Sequence, residues 1–287
     1  MLWFIFAVLH SVFQAGFNEL NRIYKIDSWQ LNFLHGLFSF LLLSPAIIFI
    51  WPLVTWHLVG AAFIIASFIT VGSQAQIFMS AQHNGRVSSM WRPVSIFVAF
   101  IFWIGLFPET AKSYMEDPKS LTLILVSFAL IIFSIVLIRR NDIGWRAFLL
   151  IGPIGVLYGL TAVISKYALD GEQTFMQALS FTLIVYFFML LFSLGAMIAK
   201  GKVDRDLLSP VNVKAGILIS IASVVSYIFI VLSFVEAPNP AFANVIGSLS
   251  PVWIMVYHRF VGIKDNASPI AGLVMIFAAV ILLFATA

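Results

Sequence analysis

The chain has 287 residues, of which 62% are hydrophobic and 10% charged, whereas soluble domains carry about 25% charged residues. Its apolar residues come in runs of about twenty with short polar joints between them, which indicates a multi-spanning helical membrane protein rather than a soluble one. The net charge of +4 fits basic loops at anionic lipid headgroups, because the basic residues are too scattered for nucleic-acid binding. The absence of cysteine excludes disulfides, thiol nucleophiles and thiolate metal sites.

Ten apolar segments approach the length of about 20 residues that a helix needs to cross a bilayer. Pro, Gly, Asn and Asp residues mark the short joints between them. We therefore predict an all-α integral membrane protein with ten transmembrane helices. In chain order the predicted spans are Leu2–Leu20, Gln30–Trp51, Trp56–Met79, Val87–Phe107, Leu121–Ile138, Trp145–Ala168, Phe175–Ile198, Val213–Phe234, Ala241–Val261 and Pro269–Phe284.

Basic residues are distributed unequally over the joints. With Arg92 counted as embedded in the membrane, joints after odd-numbered spans hold 12 basic residues and joints after even-numbered spans hold 3. The first group is Arg22, Lys25, Arg86, Arg139, Arg140, Arg146, Lys200, Lys202, Arg205, Lys214, Arg259 and Lys264, and the second is Lys112, Lys119 and Lys166. The positive-inside rule then predicts a cell inner (plasma) membrane protein with both termini outside.

Two five-span halves, Met1–Arg140 and Asn141–Ala287, share a pattern of small residues and prolines. The fourth span of each half carries a proline after small polar residues, and we expect a helix break at both Pro93 and Pro251. Because five is an odd number, the second half must enter the membrane in the opposite sense. Inverted repeats are typical of secondary transporters, whose substrate sites lie near the midplane at discontinuous helices. We therefore predict one membrane domain in which two inverted five-helix repeats surround a central cavity.

A pattern of small residues and prolines recurs along most of the chain. It comprises Pro93 with Phe107-Pro108-Glu109, Gly159–Lys166, Ala237–Ala243 leading through Ser248 and Ser250 to Pro251, and Ile270-Ala271-Gly272-Leu273 with Ala278-Ala279. In these stretches the chain resembles the drug/metabolite transporter superfamily, in particular its EamA-type ten-span members. The resemblance implies ten helices around a central cavity and the movement of small solutes, commonly efflux. The family often has an acidic residue after the ninth span, where this chain has Gly262-Ile263-Lys264, and is usually drawn with cytoplasmic termini.

Arg92 is a charged residue inside a predicted span and directly precedes Pro93. A guanidinium keeps its proton and is costly on a lipid-facing surface, so one arrangement turns it inward to water or a polar ligand. The alternative is an arginine that reaches the headgroups from about 9 Å inside its helix. In the inward arrangement Arg92 attracts a carboxylate or phosphate group of the substrate.

The first span carries the clearest polar stripe. His10, Gln14, Asn18 and Arg22 recur at every fourth position, so they share one side of a helix, and Glu19 projects about 100° from Asn18. This side is predicted to be a cavity wall, the alternative being a face of hydrogen bonds that only holds helices together. His10 and Glu19 are the candidates for proton coupling.

Other spans supply further candidates for the cavity wall. Trp91 and Trp253 flank the two repeat prolines and suit stacking on a ligand, and buried amides need several hydrogen-bond partners. The predicted substrate-binding residues are Arg92, Gln14, Asn18, Gln74, Trp91, Tyr158, Tyr227, Asn244 and Trp253. His35 and His258 are interpreted as packed or interfacial groups, and no spacing of histidine and glutamate indicates a metal site.

These features predict a secondary transporter that moves an amino-acid-like, zwitterionic or anionic metabolite by alternating access. A lipid scramblase, or an accessory subunit of a membrane complex, is the alternative. An intramembrane enzyme fits less well, because no predicted span contains an internal aspartate and Gly247-Ser248-Leu249-Ser250 does not match a Gly-x-Ser-Gly nucleophile pattern. The expected partners are the small-molecule substrate and membrane lipids, with no nucleic acid, cofactor or metal. The predicted assembly is a monomer or a homodimer.

Overall fold

The computed structural model describes residues 1–50, 53–82, 91–142, 145–169, 174–263 and 268–286. Within these ranges the chain is all-helical and contains no strand. Three parts of the sequence-based predictions lie outside the described residues or side chains: the start of the predicted span Val87–Phe107, the joint residues Arg86 and Lys264, and the side chains of Arg139, Arg140 and Arg146.

The helices follow one another with short connections. They are α1 Leu2–Tyr24, α2 Ser28–Leu43, α3 Ile47–Ile50, α4 Trp56–Gln82, α5 Arg92–Leu106, α6 Pro108–Glu116, α7 Pro118–Asp142, α8 Trp145–Ala168, α9 Thr174–Ala199, α10 Pro210–Glu236, α11 Pro240–Gly247, α12 Ser250–Val261 and α13 Pro269–Ala285. A 3₁₀ turn, Ser44–Ala46, joins α2 to α3. A helix or a pair of helices lies at each of the ten predicted spans.

Local sequence signals account for many of the helix ends. Lys25 ends α1 and Gly262 ends α12, both in the left-handed conformation, with φ of 52° and 74°. The Asp27 carboxylate caps α2 by accepting a hydrogen bond from the backbone N–H of Trp29 at 2.9 Å. A proline lies in the first turn of α5, α6, α10, α11, α12 and α13, where its missing N–H costs no helical hydrogen bond.

Six spans in the described part of the chain are long and apolar enough to cross a membrane. Helices α5 and α6 would add a seventh if they formed one span, but the chain bends by 103° between them. Helix α13 is apolar and shorter, with 17 residues. The chain is thus a multi-pass helical membrane protein, and the count of ten stays a prediction.

Polarity is arranged oppositely to that of a soluble protein. Large apolar side chains such as Phe260 and Phe284 are exposed on the outside, as expected for a surface solvated by lipid. Histidine, asparagine, serine and arginine side chains are buried inside. Helices α1 and α10 pack against each other along the middle of the bundle, and α2, α4, α8, α11 and α12 lie around this pair.

Candidate functional site

A cavity with about 70 Å³ of free space lies inside the bundle. Helices α1, α2, α4, α8, α9, α10 and α11 contribute to its wall. Its polar lining is His10, Gln14, His35, Ser73, Gln76, Thr161, Ser223, Ser226 and Asn244, and its aromatic lining is Phe17, Trp91, Tyr158, Tyr186, Tyr227 and Phe234. A polar, aromatic cavity of this size has room for a few water molecules or a small solute.

Arg92 lies behind one end of this cavity and is almost fully buried, with 1% of its surface exposed. Its Nη2 atom is 3.3 Å from Nε2 of His10, which does line the cavity. The guanidinium also packs 4.6 Å from the ring centre of Trp91. Its Nε and Nη1 atoms have no hydrogen-bond partner among the described residues.

The contacts of His10 define its proton arrangement. A guanidinium can only donate, so Nε2 of His10 must accept from Arg92. Nδ1 then carries the proton and donates to the backbone oxygen of Ser226 at 3.0 Å, with the Ser226 hydroxyl also 2.8 Å away. These contacts favour a neutral imidazole with a fixed tautomer, which makes His10 better suited to hold Arg92 than to carry protons.

The break between α11 and α12 reaches the same end of the cavity. A side chain at Gly247, the last residue of α11, would place its Cβ 2.6 Å from Nη1 of Arg92 and 3.2 Å from the His10 ring. Only glycine therefore lets the guanidinium pack against this helix end. Pro93 and Pro251 both lie in the first turn of a helix, α5 and α12, on either side of this contact.

A chain of amide hydrogen bonds runs along the wall from α1 to α8. Gln14 donates to the side-chain oxygens of Asn18 at 3.2 Å and Gln76 at 3.3 Å. Gln76 in turn donates to the Tyr158 hydroxyl at 2.5 Å, and the ring of Tyr158 stacks on Trp91 with centres 4.3 Å apart. Three helices are thus tied together around one side of the cavity.

Glu19 lies away from the cavity, in an ionic cluster between α1 and α12. Its carboxylate contacts Arg22 one turn along α1 and accepts from Nε2 of His258 at 2.8 Å. Both Glu19 and His258 are buried. His258 is therefore a packed group, and it pairs with an acidic residue that is distant in the sequence.

The predicted binding and coupling residues fall into three groups. Those that line the cavity are His10, Gln14, Trp91, Tyr158, Tyr227 and Asn244. Arg92 and Asn18 lie one hydrogen bond behind the wall, each in contact with a lining residue. The remaining three, Glu19, Gln74 and Trp253, lie elsewhere.

Gln74 and Trp253 lie in grooves between helices, separate from the cavity. Gln74 donates to the Ser28 hydroxyl at 2.7 Å and lines a groove between α2, α4 and α8. Trp253 donates to the Ser11 hydroxyl at 2.8 Å beside a groove between α1, α10 and α12. In this conformation neither side chain contributes to the cavity.

Several lining residues are absent from the sequence-based site, among them His35, Gln76, Tyr186 and Ser226. Gln76 was detectable, because it follows Ser73 by three residues and precedes Ser80 by four, so the three share a helix face that excludes Gln74. The other three also have polar residues at helical spacing, for example Asn32 before His35 and Ser223 before Ser226, so the sequence alone does not separate a cavity wall from a contact between helices.

Comparison with known proteins gives information on the fold alone. No protein-family model matches the chain. No curated protein matches it either. The fold is shared with solved structures, among them one described simply as the crystal structure of a protein, which is 15% identical over 99% of this chain and 95% of its own, with a TM-score of 0.59.

Proposed function

We propose that the chain is a secondary transporter of a small anionic or zwitterionic metabolite, with its binding site in the cavity between α1, α4, α8 and α10. The substrate's carboxylate or phosphate group lies at the end of the cavity next to His10 and Asn244, within the field of Arg92. The amides of Gln14 and Gln76 orient its polar parts.

The buried guanidinium of Arg92 carries this proposal. Glu19 is the one buried acidic side chain in the described part of the chain, and it is engaged by Arg22 and His258. Arg92 takes part in none of the ion pairs between described residues. A buried cation without a counter-ion is costly, and an anionic ligand beside it removes much of that cost.

The pairing of helices supports two repeats of five spans each. In the predicted numbering, α1 corresponds to α8, α2 to α9, α4 to α10, α5 to α12 and α7 to α13. When each helix is exchanged for its counterpart, the packed pair α4–α9 becomes the packed pair α10–α2. The same exchange turns α5–α8 into α12–α1 and α1–α10 into α8–α4, all of which are packed pairs. Pairs α2–α9 and α7–α13 map onto themselves. A pseudo-two-fold arrangement of inverted repeats accounts for this pattern.

In this proposal the site lies where the two repeats meet, near the start of α5 and the break before α12. Helix α5 begins at Arg92 and α12 begins at Ser250, and the guanidinium of Arg92 packs against Gly247 just before α12. Irregular backbone at membrane depth is tolerated beside a cavity. Rocking of one repeat against the other would therefore expose this cavity to each side in turn.

Membership in the drug/metabolite transporter superfamily is part of the same proposal. It rests on the stretches around Pro93 and Pro251, on Gly159–Lys166 and on the small residues of α13. Location in an inner membrane with both termini outside rests on the excess of basic residues in the odd-numbered joints.

Solute counterflow in proteoliposomes tests the proposal. Vesicles loaded with unlabelled 4-aminobutyrate, glycine, succinate or phosphate are diluted into the same labelled solute, with a lipid-flipping assay on the same vesicles. We expect protein-dependent uptake of at least one of these solutes without lipid flipping. Arg92→Gln should weaken its apparent affinity by roughly 10- to 100-fold, because opposite charges about 6–8 Å apart attract by roughly 2–3 kcal/mol at an effective dielectric constant of about 20.

Arg205→Gln is the matched control, since Arg205 is exposed in the connection between α9 and α10. It should leave uptake unchanged. Absence of counterflow for all four solutes, or equal affinity in Arg92→Gln and the native chain, would overturn the proposal. Lipid flipping without solute uptake would instead favour a scramblase.

A further inference from the structure

His35 is a buried histidine whose ring has no partner in the described part of the protein. It lies on α2 with 1% of its surface exposed, and neither Nδ1 nor Nε2 makes a hydrogen bond to any described residue. Its backbone oxygen, by contrast, accepts from the Ser220 hydroxyl at 3.0 Å. A neutral imidazole has one donor and one acceptor, and burying both without partners destabilises the folded state.

The ring of His35 lines the same cavity as His10. Its neighbours are aromatic: the ring centres of Phe17 and Tyr186 lie 5.3 Å and 5.6 Å away. The Tyr186 hydroxyl pairs with Ser223 at 2.7 Å, so it is already engaged within the protein. Both nitrogens of His35 therefore remain available to a molecule in the cavity.

His35 and Arg92 act at different parts of this cavity. Arg92 contacts His10 and His35 contacts Phe17, and these two contact residues lie on α1. Seven residues of α-helix separate His10 from Phe17, which is about 10 Å along the axis of α1. Gln14 lines the wall between them. The Arg92 guanidinium thus lies behind one part of the cavity wall, and the unpartnered His35 ring lines another part.

We propose that His35 is a second binding residue of the cavity, which holds the end of the substrate opposite to its anionic group. This proposal rests on the proposed function and gives the substrate class. The substrate is a short-chain carboxylate whose far end carries a hydroxyl or amino group. That group exchanges a hydrogen bond with His35 while the carboxylate lies near Arg92.

The size and composition of the cavity restrict the class further. Free space of about 70 Å³ suits a narrow chain of a few carbon atoms rather than a bulky ring system. The lining around His35 holds no acidic or basic side chain in the described residues, so the far group needs only a hydrogen bond there. The rings of Phe17 and Tyr186 shield that bond from competing water, which strengthens it.

Binding of butyrate and 4-hydroxybutyrate to the purified full chain tests this proposal by isothermal titration calorimetry. The two probes share a carboxylate and differ by the terminal hydroxyl. We expect the native protein to bind 4-hydroxybutyrate about tenfold more tightly, as one additional net hydrogen bond allows. His35→Phe should abolish that preference by weakening the binding of 4-hydroxybutyrate about tenfold, whereas Arg92→Gln should weaken both probes equally.

His57→Phe is the matched control, because His57 is exposed on α4 away from the cavity. It should preserve the preference for the hydroxylated probe. His35→Phe replaces two unpartnered nitrogens by an apolar ring of similar shape, so its unfolding temperature should not fall. His35→Gln, which keeps a donor and an acceptor, should retain part of the preference and covers the case in which His35→Phe does not fold.

A preference for 4-hydroxybutyrate that persists in His35→Phe would overturn the role of His35. Equal binding of both probes to the native protein, or binding of neither, would overturn the substrate class. In either case, counterflow of another anion that depends on Arg92 would leave the proposed function standing. Failure of that counterflow as well would overturn both proposals.

Discussion

At the scale of single residues, the Arg92 guanidinium that we propose to attract the ligand also lowers the stability of the folded protein. Its guanidinium is buried beside His10 and Gly247 without an acidic partner in the described residues. Replacing such a group by an apolar side chain removes the cost of its desolvation. We expect Arg92→Met to raise the free energy of unfolding by roughly 1–3 kcal/mol while it abolishes counterflow. Thermal unfolding of the purified protein measures the first effect.

The control for this prediction is Arg205→Met, in which the arginine is exposed. Substitutions at such positions change stability by about 0.5 kcal/mol or less. A lower unfolding temperature for Arg92→Met than for Arg205→Met would mean that the guanidinium stabilises the fold through contacts of its own. Arg92 would then be a structural residue rather than a binding residue.

Glu19 and His258 form a second residue-scale feature with a testable role. The pair joins α1 to α12, two helices from different halves of the sequence, through a contact of 2.8 Å. Loss of the negative charge at Glu19 would weaken this contact and so change the relative position of the two helices. We expect Glu19→Gln to abolish accumulation driven by a proton gradient while counterflow, which needs no gradient, continues.

Glu236→Gln serves as the comparison for Glu19→Gln, because Glu236 is exposed at the end of α10. Both forms of transport should continue in that variant. Gradient-driven accumulation that survives Glu19→Gln would remove the Glu19–His258 pair from the coupling mechanism. Loss of counterflow in Glu19→Gln would instead indicate a general requirement of the fold.

Helical periodicity makes part of the site predictable from the sequence. His10 and Gln14 recur at an interval of four, and both line the cavity. The same interval includes Asn18, but this residue lies one hydrogen bond behind the wall because the cavity does not follow α1 to its end. The spacing of polar residues therefore identifies the polar face of a helix. How far the cavity extends along that face depends on the neighbouring helices.

At the scale of elements, α8 packs against α5 through Gly155 and Gly159. A Cβ added to Gly159 would lie 2.6 Å from Cβ of Val98 and 2.9 Å from the backbone oxygen of Ser95. Because backbone cannot move aside without shifting a whole helix, we expect Gly159→Ala to destabilise the protein by about 1–3 kcal/mol. The loss of unfolding temperature in detergent measures this effect.

Gly195→Ala in α9 is the matched control, since nothing from the rest of the described chain lies within 4 Å of its added Cβ. Replacing a helical glycine in open space is favourable by about 0.5–1 kcal/mol. The two substitutions should therefore have opposite signs. Equal effects would mean that α8 and α5 are further apart than the structure has them.

The existence and position of most helices could be predicted, because twenty apolar residues between turn-forming residues have few alternatives. The sharp bend of 103° between α5 and α6 could not. Phe107-Pro108 marks a helix boundary, but the angle at such a boundary depends on what the next helix packs against. Pro93 and Pro251 lie in the first turn of α5 and α12, a position that suits proline.

At the scale of the whole molecule, the contacts that assemble the site join residues far apart in the sequence. His10 pairs with Ser226, 216 residues later, and Glu19 with His258, 239 residues later. Neither pair has a signal within a single helix, because the choice of neighbouring helices is made by packing in three dimensions. A single sequence therefore predicts which face of each helix is polar, but not which other helix packs against that face.

The two halves are also joined by polar contacts at one end of the bundle. Lys202 and Asp27 form an ion pair at 3.1 Å, and Gln30 donates to Asp204 at 2.7 Å. These contacts, which we term the end clasp, connect the start of α2 to the segment between α9 and α10. If the repeats rock against each other, the end clasp has to open once in each transport cycle.

Cross-linking of the end clasp tests whether the halves separate there during transport. The chain contains no cysteine, so Asp27→Cys with Lys202→Cys gives two unique sites for a reducible bifunctional thiol reagent. We expect the cross-linked protein to lose counterflow and to regain it after reduction, because a closed clasp holds the cavity in one orientation. The control pair is Asp117→Cys with Ser120→Cys, which lie within one half and are joined by a hydrogen bond of 3.2 Å. That cross-link should leave counterflow intact, and unimpaired counterflow in the cross-linked Asp27–Lys202 variant would contradict rocking of the halves about the cavity.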